Sequence, residues 1–222
     1  MPYRRTENVV RHLAEREQAI LGAATGLAAE AGMGAVQIVA VAKRAGIAAG
    51  TVYRYFPSKT DLVAELIAVV AARELDAVKA AADAAPGPLS ALAASITTFA
   101  ARALYARRLI WALSGEAVEP EIDSLRLDFL KALAAELETR IKAAIAGRLL
   151  PEQDSRLIVP ALLGALLEGL VGPLAPALDN DAARRAAVQT AALFGLRALG
   201  IVDARARGLV AQCVLPVVEK AS

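Results

Sequence analysis

The chain has 222 residues, 57% of them hydrophobic and only 4% aromatic, with 25 Lys and Arg against 23 Asp and Glu. That length allows one small and one medium domain, and a mean hydropathy of +0.47 suits closely packed helices rather than strands. A single histidine, His12, and a single cysteine, Cys213, exclude an intrachain disulfide and a histidine-rich metal site and leave triad chemistry almost without a base, so neither an enzyme nor a cofactor is expected.

Residues 1–14 read as a polar arm carrying Tyr3, Arg4, Arg5 and Arg11. Such an arm either enters a minor groove or is a solvated tail. No signal-peptide pattern opens the chain, so a cytoplasmic protein is expected. A first helix is predicted over about 15–31, ended by Gly32. Residues 1–62 hold eight Lys and Arg and five Asp and Glu, so the positive excess sits in the first quarter of the chain. Residues 1–62 are therefore read as one domain and 63–222 as a second.

The segment 36–62, VQIVAVAKRAGIAAGTVYRYFPSKTDL, carries the most information. Ile38, Val41, Ala42 and Ala45 recur at i, i+3, i+4 and i+7, one apolar helical stripe, with Lys43 and Arg44 opposite. Gly46 follows where a helix end wants a left-handed backbone. In a second short helix, Ala49 to Tyr55, Val52 and Phe56 point inward. Gly50 and Arg54 then share the outward face, flanked by Thr51, Tyr53 and Tyr55. These side chains suit phosphates and base edges, and Gly50 permits close approach. Pro57 stops the helix, and Ser58 with Asp61 opens the next one, with Lys59 in its first turn as a phosphate anchor.

This stretch resembles the helix-turn-helix of the TetR family of bacterial transcriptional regulators. Gly32, Ile38, Val41-Ala42, Ala45-Gly46, Gly50-Thr51-Val52-Tyr53, Tyr55-Phe56, Ser58-Lys59 and Leu62 carry the resemblance, with Ile20-Leu21, Ala23-Ala24 and Leu27 upstream. It implies phosphate contacts from Tyr53, Tyr55 and Lys59, and a major-groove position for Gly50, Thr51 and Arg54. Gln37 stands where the family often has threonine and still offers a DNA contact; Arg44 joins the same expected interface. Ala48-Ala49 replaces a frequent serine and polar residue, so helix 3 lacks a side-chain cap. The implied fold is all-α, a three-helix head on a larger helical body of about nine to ten helices in all.

Further along, helices are predicted over about 58–84, 89–105, 107–113, 121–146, 154–178, 182–199 and 203–218, with Gly147 closing the fourth of these and Gly200 the sixth. Residues 157–178 carry one charge, Glu168, over a membrane-like length, but Pro160, Pro173 and Pro176 interrupt them, so burial rather than a membrane is expected. Small residues on the helices near 154–178 and 182–199 (Ala161, Ala165, Gly169 and Gly172; Ala187 and Ala191), with Leu166 and Phe194, suit a homodimer interface in a four-helix bundle. The resemblance places the dimer interface in the same region. A twofold dimer would read a near-palindromic double-stranded DNA operator.

The body holds Phe99, Tyr105, Trp111 and Phe129, expected to line a site for a small apolar effector, as the resemblance implies. Glu168 is either a polar anchor there or an interface carboxylate. Arg102, Arg107 and Arg108 read as solvated arginines, and Cys213 as a small core residue. The resemblance makes the protein a ligand-released repressor. The alternative is a helical architectural DNA-binding protein without an effector.

Overall fold

The computed structural model describes residues 7–116 and 120–213. Among them there is no strand. Ten α-helices occur: α1 Glu7–Ala31, α2 Ile38–Arg44, α3 Ala49–Tyr55, α4 Lys59–Asp83, α5 Pro88–Tyr105, α6 Arg107–Ser114, α7 Pro120–Ala146, α8 Ser155–Leu170, α9 Asp181–Ala198 and α10 Asp203–Gln212. Tyr3, Arg4 and Arg5 of the expected arm, and Val217 of the last predicted helix, lie outside the described residues.

Three boundaries differ from expectation, each for a physical reason. Helix α1 begins at Glu7, so residues 7–14 of the expected arm are helical. Arg11 and Glu15 pair at i, i+4 on this stretch, which supports a helix that buries little. Helix α8 stops at Leu170 rather than about 178. Pro173 and Pro176 cannot continue it, and the Arg107 guanidinium takes up the carbonyls beyond it, donating to Ala175 O and Pro176 O, both at 2.8 Å. Arg107 is thus a structural clamp, not a solvated cation. At the end of α7 the left-handed residue is Arg148 (φ 55°) rather than Gly147. Arg148 N donates to Ile145 O and Leu149 N to Ala144 O, the paired bonds of a Schellman motif, which outweigh the steric cost of a side chain there.

Helix α5 is the axis of the body. Leu92, Ile96, Phe99, Ala100 and Ala101 are buried on it, and α4, α7, α8, α9 and α10 surround it. Small residues let these helices approach: a Cβ on Gly195 of α9 would come within 2.9 Å of Leu162 on α8. Helix α4 carries the chain from head to body. Its carboxylate Glu74, 4% exposed, is held by Arg102 of α5 through bonds of 2.6 and 2.9 Å, so Arg102 too is committed. Arg140 of α7 similarly reaches Asp83 at the far end of α4 (2.7 Å) and Glu136 (2.6 Å). Cys213 is half-buried; its thiol bonds Leu209 O, and burial pushes its pKa up, so it is a packing residue rather than a reactive thiolate. No single helix among the described residues is long and apolar enough to cross a membrane.

Head and body also meet away from α4. Gly32, in the left-handed region (φ 84°), turns the chain after α1. Over it lie Arg108 of α6 and Glu116 just beyond, paired at 2.9 Å. Glu116 accepts the Met33 N–H (2.8 Å), and Arg108 donates to Ala31 O (3.2 Å). A Cβ on Gly32 would come within 2.4 Å of Arg108 and 2.5 Å of Glu116, so this clasp forms only over a glycine.

Candidate nucleic-acid interface

Helices α2 and α3 stand on a closed apolar floor. Ile38, Val41, Ala42, Val52 and Phe56 are buried, along with Ile20, Ala24 and Ala28 of α1 and Leu62 of α4. Each large member contributes about 1.5–3 kcal/mol by leaving water. The turn between α2 and α3 is fixed by Gly46 (φ 65°): Gly46 N bonds Lys43 O and Ile47 N bonds Ala42 O, a Schellman closure that aims α3 away from α2. Ser58 caps α4 by accepting from Asp61 N (3.0 Å), and its hydroxyl donates to the Asp61 carboxylate (2.7 Å). That cap is worth about 1 kcal/mol and fixes where Lys59 leaves the head.

The outward surface of α3 offers polar groups that the fold leaves without hydrogen bonds, although the Tyr55 ring also packs on the core. Tyr53 and Arg54 are exposed, and Thr51 and Tyr55 are half-buried. Among the described residues the side chains of Thr51, Tyr53, Arg54 and Tyr55 make no hydrogen bond or ion pair. Gly50 is exposed, and a Cβ there would meet nothing within 4 Å. A glycine inside a helix costs about 1 kcal/mol relative to alanine, and packing within this chain gives no return for it. Lys59 sits in the first turn of α4, half-buried. The donors Thr51, Tyr53, Arg54, Tyr55 and Lys59 therefore share one small helical head, five polar or cationic side chains around an open glycine.

Two expected contacts stand differently. Gln37 is exposed, but its amide is occupied locally, donating to Gly34 O (3.1 Å). Arg44 is bound to Glu30 of α1 by two bonds, 2.6 and 2.5 Å. The guanidinium holds the Glu30 carboxyl below the usual carboxylate range, and lies over Gly26, whose added Cβ would meet it at 2.9 Å. Arg44 is thus a brace between α1 and α2. Accordingly, Arg44→Ala should leave the salt dependence of DNA binding unchanged and lower the melting temperature of the head slightly. A slope reduced by about one in a log–log salt titration would return Arg44 to the phosphate contacts.

Sequence reasoning missed Arg16 and His12. Both line an open cleft of about 520 Å³ between α1 and α3, together with Leu13, Ile47, Ala48, Thr51, Arg54 and Tyr55. The readable signal was the spacing of His12, Arg16 and Ile20 at i, i+4 and i+8, one face of α1.

In the body, Phe99 and Phe129 are buried, Trp111 is half-buried against Gly115, and Tyr105 lies at the surface. A groove of about 260 Å³ between α4 and α7 takes in Phe129 alone of the four, beside Ile67, Ala71, Leu75 and Leu125. Glu168 faces outward from α8 and accepts from Leu174 N (3.4 Å), so it is not a wall of that groove. Of the expected dimer residues, Ala161, Ala165, Gly169 and Phe194 are exposed, and Ala187 and Ala191 are half-buried. Leu166 and Gly172 instead face their own subunit: Leu166 shares the buried stripe of Val159, Leu162, Leu163 and Leu170 on α8, and the bend after Leu170 tucks Gly172 beneath Glu168.

Residues 20–66 match the family described as bacterial regulatory proteins, tetR family. Over 54 residues the chain is 52% identical to the HTH-type transcriptional repressor KstR of Rhodococcus jostii (strain RHA1). That match spans 24% of this chain and 26% of KstR, so the chain is aligned with about a quarter of that relative's length. Among solved structures, the transcriptional regulator FadR from Bacillus subtilis in complex with stearoyl-CoA superposes with a TM-score of 0.68 at 22% identity, over 83% of this chain and 99% of that one. RolR in complex with resorcinol does so with a TM-score of 0.63 at 18% identity, over 95% of this chain and 100% of that one. These two likenesses are of fold.

Proposed function

With a helix-turn-helix of the tetR family at residues 20–66 as its head, we propose that this protein is a dimeric, cytoplasmic transcriptional repressor that binds a near-palindromic operator and leaves it when a small apolar ligand enters the body. The observation that carries the reading is the outer surface of α3: four polar side chains that make no hydrogen bond or ion pair among the described residues, around a glycine with open space where a Cβ would stand. Phosphates and base edges supply what those groups lack. KstR, the relative matched over the head, is a repressor, which supports repression here.

Dimerisation is supported by the outward stripes of the last helices. Leu157, Ala161, Gly164, Ala165 and Glu168 follow one another along α8, and Phe194 of α9 is 56% exposed beside them. A face of small residues with protruding Leu and Phe suits a second copy, which would carry the two α3 helices to major grooves about 34–36 Å apart. The ligand reading is supported by the groove between α4 and α7, lined by Ile67, Ala71, Leu75, Leu125 and Phe129 with Asp128 at its rim. Because α4 carries the head, a ligand that fits this groove better in one position of α4 than another shifts the head by that difference in affinity. FadR with stearoyl-CoA and RolR with resorcinol, similar in fold, each hold an organic molecule.

The test is selection of bound duplexes from a random-sequence pool, followed by footprinting. Two inverted half-sites are expected; a protein that selects no duplex refutes the reading. Arg54→Ala should weaken the selected site by about 1–3 kcal/mol and relax preference at one base pair per half-site. An equal loss on every sequence would make Arg54 a phosphate ligand instead.

A further inference from the structure

We propose that the cleft between α1 and α3 is a second DNA-binding surface, in which Arg16, with His12 beside it, holds the sugar–phosphate strand flanking the groove that α3 enters. The proposal rests on the reading of α3 as the recognition helix and extends it to a helix outside the helix-turn-helix.

Geometry supplies the first argument. His12, Arg16 and Ile20 lie one turn apart on the same face of α1. Ile20 is fully buried at the floor of the head. The same stripe then leaves the core toward Glu7 and overhangs α3, so His12 and Arg16 form one wall of the cleft while Thr51, Arg54 and Tyr55 form the other. Leu13, half-buried, lies in the wall between them.

Charge and availability supply the second. Two arginines line the cleft, and no carboxylate does. Arg16 and Arg54 make no ion pair or hydrogen bond among the described residues, although carboxylates elsewhere have recruited arginines such as Arg44, Arg140 and Arg156. Among the described residues the one polar partner of His12 is Glu15, at 3.2 Å across the exposed side of α1. A cationic trough with hydroxyls along one edge matches a phosphodiester strand, and α3 forms that edge, so the strand it would hold is continuous with the site α3 reads. Arg16 is the main ligand because its fork can pair with two phosphate oxygens.

The measurement is affinity of the full chain for a duplex that the unaltered protein selects from a random pool, titrated against salt, with phosphate-ethylation interference on the same duplex. Arg16→Gln should weaken binding by about three- to tenfold at moderate salt and reduce the log–log salt slope by about one. It should also erase interference at one phosphate outside each inverted half-site, while base preference stays intact. Arg16→Lys should restore the slope and most of the affinity. Arg16 is exposed, and an unchanged melting curve will show that the variants are folded. Should Arg16→Gln keep the affinity, slope and interference pattern of the unaltered protein, the cleft is overturned while the reading of α3 stands. Should the unaltered protein select no duplex, both fall together.

Discussion

Phe194→Arg is expected to turn the proposed dimer into a monomer of 23.0 kDa, and to weaken binding to a duplex with two inverted half-sites by about 100-fold or more. Phe194 is 56% exposed on α9, which packs against α8, whose outward side carries Ala161 and Ala165. In a twofold contact its ring is buried twice, each time worth about 1.5–3 kcal/mol. An arginine there would bring two like charges together in a desolvated seam. The effect on DNA is larger than the lost contact because the second half-site is bound intramolecularly, at millimolar effective concentration, only while the copies are joined. Light scattering after gel filtration reads the mass, and a duplex with one half-site is the control, since its affinity should hardly move. A variant that keeps the dimer mass would show that another face joins the copies.

Arg102→Met should destabilise the fold by about 3 kcal/mol. It would strand the Glu74 carboxylate, 4% exposed, with only Arg73 at 3.0 Å on its outer side. The cost comes from an uncompensated buried charge rather than from the worth of the pair. The double variant Glu74→Leu, Arg102→Met should therefore recover most of the stability, because replacing both partners with apolar groups removes the unpaired charge. Urea unfolding at fixed pH measures both. A double variant as weak as the single would mean that Arg102 acts through its packed aliphatic stem instead.

The head was legible in the chain because its information is local. Gly46, Pro57 and the stripe from Ile38 to Ala45 each act within one or two turns, and α2, α3 and the Ser58 cap follow from them. What the sequence hid is long-range. Arg44 reads as an outward cation on α2; its partner, Glu30, lies fourteen residues back and comes near only once α2 crosses α1. Leu166 and Gly172 sit among the small residues read as a dimer face, and only the rotation of α8 and its end at Leu170 show that they face inward. The four body aromatics suggested a single cavity because composition carries no direction; packed around α5, they separate into core and surface. Residues 7–14 read as an arm because of their charged and polar members, yet they continue α1, a stretch that the i, i+4 pair of Arg11 with Glu15 supports.

The clasp over Gly32 has a mechanical consequence. An object hung from one rod swings freely, whereas one hung from two keeps its attitude as it shifts. Helix α4 is the first rod; Arg108 and Glu116, gripping the end of α1, are the second. Motion of α4 alone would have to tear the second grip, so the low-cost path displaces α4 and α6 in concert and carries the DNA-reading unit sideways with little tilt. In the proposed dimer, the separation of the paired α3 helices, more than their pitch into the groove, would then be the coordinate that a ligand in the body changes.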